Sequence, residues 1–148
     1  MKLFRLREAE EADVAVVAAL HRRVRTLCLP FLPVLHTPED DLRYFAGHAF
    51  PGCEVRIAEI DGEAVGYSAY RPGWLDHLYV DPAWHGRGIG ATLLRDATAA
   101  NADLQLWCFA RNIAACRFYE AHGFTPVERT DGARNEEREP DIRYAWRR

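Results

Sequence analysis

Three glycines within five positions mark the part of this chain best suited to hold a charged ligand. The run His85-Gly86-Arg87-Gly88-Ile89-Gly90-Ala91 lies between a strand-like stretch ending at Val80 and a segment with helical spacing. Glycine lets the backbone turn sharply and approach a ligand closely. The first N–H groups of a helix have no partner inside it, and the helix dipole adds partial positive charge there. Phosphate or pyrophosphate is the chemistry that suits such a turn. A dinucleotide fingerprint can be written through Gly86, Gly88 and Ala91, but it should follow the first strand of a βαβ unit and meet an acid about 20 residues on. Here the next strand ends at Phe109 without an acid, and the upstream hairpin is antiparallel. The Gly-Lys-Ser/Thr of a Walker A loop is absent.

A second group of residues offers proton chemistry. Asp76 and His77 fall in the alternating run Trp74–Val80, so alternation puts them on opposite faces, Asp76 with Leu78 and Val80. His77 has the better intrinsic pKa for taking a proton near neutrality. Tyr119 lies seven residues beyond Asn112, about two helical turns, so both face one side. Asn112 also suits a helix N-cap. The four cysteines, Cys28, Cys53, Cys108 and Cys116, contain no C-x-x-C pair and have no histidine at metal-ligand spacing, so no metal is expected. They read as small buried hydrophobes in preference to an acyl-carrying nucleophile.

The elements that must position these residues follow from periodicity. Strands are expected at Lys2–Arg7, Glu54–Ile60, Ala64–Tyr70, Trp74–Val80, Leu104–Phe109, Phe124–Arg129 and Ile142–Trp146. Asp61-Gly62 is a strong hairpin signal between the second and third. Helices are expected at Glu8–Leu27, from Thr37 to about His48, at Gly88–Ala100 and at Asn112–His122. Thr37 is a plausible N-cap, Pro38 suits the first helical position, and Pro51-Gly52 should stop that helix. The result is a mixed α/β order with helices on the faces of a sheet, read as one domain over residues 1–148.

Composition sets the boundaries. The 148 residues are 49% hydrophobic and 28% charged, an ordinary globular balance. A net charge of -3 gives no global field for nucleic acid or anionic lipid, so neither is an expected partner. No apolar run approaches the roughly 20 residues of a membrane helix, and the N-terminus has no signal-peptide core, which places the chain in the cytoplasm.

Two segments carry a family likeness. Val80-Asp81-Pro82-Ala83-Trp84-His85-Gly86-Arg87-Gly88-Ile89-Gly90 resembles the acetyl-CoA motif of the GNAT superfamily of N-acetyltransferases, Q/R-x-x-G-x-G/A after a strand ending V-x-P. His85 stands where Gln or Arg is usual. Asn112-Ile113-Ala114-Ala115-Cys116-Arg117-Phe118-Tyr119-Glu120-Ala121-His122-Gly123-Phe124 resembles the second signature, N-x-x-A-x-x-F-Y-x-x-x-G-F. The element order matches nearly end to end. The resemblance implies a GNAT-like mixed, mostly antiparallel sheet of about seven strands with helices on both faces. It implies transfer of an acetyl group from acetyl-CoA, a co-substrate, to a primary amine by direct attack through a tetrahedral intermediate. By the same resemblance His85, Gly86, Arg87, Gly88, Ile89, Gly90 and Ala91 hold the pyrophosphate. Leu78, Tyr79 and Val80 leave backbone groups free for the pantetheine arm, and Asn112 and Tyr119 complete the cofactor site.

Tyr119 is the implied general acid. Asp76, alone or through a water, is preferred as base over His77, and it could instead anchor an ammonium. The acceptor should enter between the Cys28–Thr37 and Thr130–Pro140 loops, where His36 and Glu39 are the substrate-binding candidates, with Glu136 and Glu137 beside them. A small-molecule amine is expected. A protein or peptide N-terminal acetyltransferase and a non-catalytic acyl-CoA sensor stand as alternatives, and a homodimer stays open.

Overall fold

Alternating side chains build one seven-stranded sheet in the computed structural model, which describes residues 3–148. The strands are β1 (Arg5–Glu8), β2 (Glu54–Ile60), β3 (Glu63–Arg71), β4 (Trp74–Val80), β5 (Asp103–Phe109), β6 (Thr125–Thr130) and β7 (Asp141–Arg147), in the spatial order β1-β2-β3-β4-β5-β7-β6. Every neighbouring pair is antiparallel except β4 and β5. The mixed, mostly antiparallel sheet is the one expected. Lys2, counted in the expected first strand, lies outside the described residues.

One face of the sheet is covered by α1 (Val14–Cys28), which buries Val17, Ala18, Leu20 and Val24 against Ile57, Tyr67 and Ala69. This helix begins later than its periodicity suggests. Glu8 stays in β1, and Arg7 bridges Asp13 at 2.8 Å and Glu59 at 2.9 Å, pinning the corner that a 3-10 turn at Glu11–Asp13 then rounds. The next helix, α2 (Pro38–Tyr44), starts on the Thr37–Asp40 capping box. It runs on beyond His48 through a π turn, Phe45–Ala49, into α3 (Phe50–Gly52). The helix ends at Gly52, so Pro51-Gly52 closes it as expected, a few residues beyond His48.

The opposite face carries α4 (Ile89–Ala99) and α5 (Ile113–Ala121). Leu94 and Ala97 of α4 pack with Leu104 and Leu106, and α5 adds Cys116 and Tyr119 to the same cluster. Ile89 and Leu93 close a second cluster on Ala58, Ile60 and Val65. No helix among the described residues is long and apolar enough to cross a membrane.

Two irregularities of β4 set up everything that follows. Strand β4 pairs with β5 only at Trp74↔Gln105 and then separates from it. Its register to β3 also slips: Ala69 faces His77, but Tyr70 faces Leu75, leaving Asp76 as the extra residue of a bulge. The bulge corrects the simple alternation read from sequence. Leu75, not Asp76, joins Leu78 in the core on the α4 side.

Candidate active site

The glycine-rich turn begins the site. Gly86 and Gly88 hold φ of +79° and +80°, left-handed values that a side chain disfavours, and a Cβ at either would meet no protein atom within 4 Å. The backbone is therefore bare on the side of the cleft. The first intrahelical bond of α4 runs from the Thr92 N–H to the Gly88 carbonyl at 3.0 Å, so the Ile89, Gly90 and Ala91 amides have no acceptor within the helix. The side chain of Ile89 is core, and only its N–H can serve a ligand. Arg87 stacks on Trp84, its guanidinium 4.8 Å from the ring centroid, which holds a cation beside the turn.

Separation of β4 from β5 frees backbone groups. The Asp81 N–H donates to the Val65 carbonyl at 2.8 Å, so Asp81 faces β3. Pairing from Leu78 to Val80 is regular, and alternation then turns the amides and carbonyls of Val80 and Leu78 toward the gap. His85 confirms the direction, since its Nε2–H donates to the Val80 carbonyl at 2.8 Å. The histidine that replaces the usual Gln or Arg thus braces the turn against β4.

A cleft of about 690 Å³ occupies this gap. The turn without Arg87, Leu78–Val80, Asn112 and Tyr119 line it, so the structure brings the sequence-expected cofactor residues together except Arg87, which lies on Trp84 at the rim. Asn112 caps α5, its Oδ1 accepting from the Ala115 N–H at 3.3 Å. Tyr119 is 9% exposed, packed between Phe118 and Phe124, and its hydroxyl has no hydrogen-bond partner among the described residues. Burial pushes its pKa well above the phenol value, with the Cys108, Tyr79 and Cys116 neighbours adding to the effect.

A second cavity of about 1190 Å³ lies beyond the gap, walled by α1, the α2–α3 segment, β6 and the 131–140 loop. The two spaces share Asp76, Tyr79, Trp107, Cys108 and Phe109, so they meet at the parted strands. Asp76 stands at this junction, bridged to Arg71 at 2.8 Å and 3.6 Å from the Cys53 thiol. Burial and the Asp76 carboxylate push Cys53 up to about 11. Burial also raises Cys28 and Cys108, so these thiols stay protonated near neutrality, against the nucleophilic reading.

His77 is on the other side of the strand, in a polar chain that periodicity alone did not reveal. Tyr44 Oη lies 2.9 Å from His77 Nε2, Tyr67 Oη 3.2 Å from His77 Nδ1, and Tyr67 Oη 2.8 Å from His21 Nδ1. Burial lowers His77 to about 4 and, helped by the nearby His77 and Arg25, His21 to about 2. Both imidazoles are neutral at pH 7. The sequence signal was available: His21 and Arg25 continue the i, i+4 row of the buried Val17, a polar pair on an apolar stripe.

The two acceptor candidates of the loops are placed elsewhere. Glu39 is exposed in the first turn of α2 and lines neither cavity, because its carboxylate faces solvent beside the helix N-terminus. His36 lines neither cavity as well. Its Nε2 binds Glu136 while its carbonyl accepts from Arg22, so it ties the 29–37 loop to the 131–140 loop. Glu137, Arg134 and Asn135 reach the acceptor cavity instead. The apolar loop contributes through Phe31, edge-on to Phe109 at 6.4 Å.

A parted parallel pair, amides at a helix start on one side and a roomy polar cavity on the other, is the arrangement of an enzyme that passes a group between two bound molecules. Residues 51–126 match the family model described as "Acetyltransferase (GNAT) domain". The chain is 31% identical over 137 residues, 81% of its length, to "Probable N-acetyltransferase Rv2775" of Mycobacterium tuberculosis, covering 79% of that protein. It is 25% identical to the peptidyl-lysine N-acetyltransferase YiaC of Escherichia coli, covering 83% of this chain and 84% of that one. Among solved structures, PaiA N-acetyltransferase from Thermoplasma acidophilum in complex with coenzyme A superposes with a TM-score of 0.76 at 17% identity, over 99% of both chains. The chain belongs to the GNAT acetyltransferase family. It is an N-acetyltransferase with acetyl-CoA as co-substrate.

The neutral histidines make stability depend on pH in a stated direction. The folded chain holds His77 near 4 against 6.5 in the open, so between these values the unfolded chain binds more protons. Stability is complete above pH 6.5 and is lost as the pH falls toward 4. Asp13, held at about 2 by Arg7, gives way only below its ordinary 3.8 and so lies outside this window. Urea unfolding should show a loss of about 2 kcal/mol through His77 between pH 7 and 5. His21, held lower still, adds a similar share, so His77→Gln should remove about half of the slope, and an unchanged slope would mean His77 is not buried as a neutral ring.

Proposed function

We propose that residues 1–148 form a single N-acetyltransferase domain whose acceptor is a small-molecule primary amine. One observation carries this reading: two cavities of different character open onto the same gap between β4 and β5, with Asp76 at the junction. The tie between His36 and Glu136 lines neither cavity, but it anchors the 131–140 loop that walls the acceptor side.

The residues fit coenzyme A: bare glycine backbone, free helix-start amides and unpaired strand groups follow one another along the cleft. When bound, acetyl-CoA supplies an acyl thioester as the electrophile. The Ile89, Gly90 and Ala91 amides hold the pyrophosphate, with Arg87 as an added cation. The Leu78 N–H, turned into the gap, stabilises negative charge on the carbonyl oxygen as the amine attacks. Asp76 binds the incoming ammonium and takes its proton, directly or through a water. Tyr119 gives its proton to the departing sulfur and regains one as the nitrogen sheds its second proton on forming the amide. Burial keeps that proton on the phenol until a thiolate in the same dry setting demands it.

The direct test is free-thiol release from acetyl-CoA against small amines, polyamines and peptides. Turnover confined to peptides would reverse the choice of acceptor, and acetyl-CoA binding with no turnover would indicate a sensor. Gly90→Val is the cleaner turn variant, because Gly90 has ordinary helical geometry and its Cβ would make ordinary contacts with the Phe118 ring at 3.6 Å and Val80 at 3.8 Å. It should weaken acetyl-CoA binding in calorimetry with the thermal midpoint kept; unchanged affinity would remove the turn from the site. Tyr119→Phe should lower turnover by about 100- to 10,000-fold with acetyl-CoA affinity retained. A loss in affinity alone would make Tyr119 a packing residue. Asp76→Asn should cut kcat; a rise in KM alone would leave it the ammonium anchor, and silence in both with a defect in His77→Gln would transfer the role to His77.

A further inference from the structure

The charges around the acceptor cavity are of both signs, more than an amine alone would use. Arg71 is bridged to Asp76 at 2.8 Å, and Glu128 to Arg143 at 3.0 Å. Asp141 accepts from Thr130 Oγ1 and from Asn135 Nδ2, so its charge is also engaged within the protein. Charges of both signs are left without an ion pair among the described residues, Glu137 and Asp141 among the carboxylates and two arginines among the cations. Arg25, half-buried on α1, and Arg134, on the facing 131–140 loop, both line the cavity and form no ion pair among the described residues.

The surroundings of Arg25 sharpen the point. Its charge acts on His21, His77, Tyr67 and Tyr79, a wall of neutral rings that cannot offset it. The carboxylate that feels it is Glu137, which stands beyond ion-pair distance and is itself driven toward its neutral form by burial. A half-buried guanidinium without a carboxylate partner is a cost to the folded chain unless a ligand answers it. An alkylammonium entering this cavity would meet that charge as repulsion.

We infer that the acceptor carries an oxyanion on the same molecule as its amine, and that Arg25 and Arg134 bind it. This rests on the acetyltransferase reading and assigns its substrate class. The amine end lies at Asp76, beside the gap, and the anionic end reaches back between α1 and the 131–140 loop. Guanidinium recognises carboxylate and phosphorus oxyanions alike through paired N–H donors. Amino acids and aminoalkyl phosphonates are therefore the two sources to compare.

The experiment sets glycine, L-alanine, β-alanine and 4-aminobutanoate each against its neutral amide, with 3-aminopropylphosphonate and 1,4-diaminobutane alongside. At least one acid should exceed its amide by about ten- to a hundred-fold in kcat/KM, the size of a charge-assisted contact. Arg25→Gln, and Arg134→Gln on the exposed loop as a variant that does not touch the core, should collapse that ratio toward one. If the phosphonate outranks every carboxylate, the subsite stands and its ligand is the phosphorus oxyanion. Equal acids and amides, preference for the diamine, or a ratio untouched by both variants would overturn the assignment. A second readout separates it from the parent reading: calorimetry of N-acetyl-β-alanine and N-acetyl-4-aminobutanoate against their amides. Preferential, arginine-dependent binding of the acids without any turnover would sink the acetyltransferase reading and keep the anion subsite. Turnover of plain amines with no such binding would do the reverse.

Discussion

Strand β4 cannot stay paired on both edges, and the site exists because of that. Held by β3 along its length, it meets β5 only through Trp74 and Gln105. A parted strand inside a sheet leaves backbone donors and acceptors that need partners, a penalty that ordinarily closes such gaps. Here the opening is propped from several directions. The turn after β4 folds back so that His85 takes the Val80 carbonyl, α5 inserts Phe118 and Tyr119 from below, and Phe31 leans on Phe109 from the 29–37 loop. The remaining Leu78 and Val80 groups are thereby available to a ligand with amides of its own.

The same economy of charge runs through the molecule. A chain with net charge -3 binds a polyanion by amides and a helix start rather than by a basic surface. On the acceptor side burial keeps His21 and His77 neutral, and Arg71 holds Asp76 in place. With the histidines silent, the charge of the cavity rests with its arginines, Arg25 and Arg134, and its carboxylates, among which Asp76 stands where the two cavities meet.

Much of this was legible in the sequence because it is local. The glycine turn, the Asn112 cap and the helical row from Asn112 to Tyr119 depend on neighbours a few residues apart, and each stands where spacing placed it. The parallel splay was legible through family likeness rather than periodicity. What escaped was set by distant partners. No pattern within Trp74–Val80 shows that Asp76 is the bulged residue, since the slip is defined by Ala69 and Tyr70 across the ladder. The chain of His21, Tyr67, His77 and Tyr44 joins four elements, and only their packing assembles it. Sequence position alone suggests His36 and Glu39 as substrate ligands, yet one ties two loops together and the other faces solvent.

The bulge links these observations. Without it β4 would alternate strictly, Asp76 would take the side of Leu78, and a carboxylate would be buried in the cluster of Leu94, Leu104 and Leu106. That would be costly for an unpaired charge. Inserting one extra residue gives the inward position to Leu75 and leaves Asp76 at the mouth of the gap, where Arg71 can reach it. A single register slip thus completes the hydrophobic core on one side of the sheet and supplies an accessible carboxylate at the junction of the cavities. The two consequences cannot be separated by moving Asp76 to a neighbouring position, because a shift of one residue along β4 exchanges core and site.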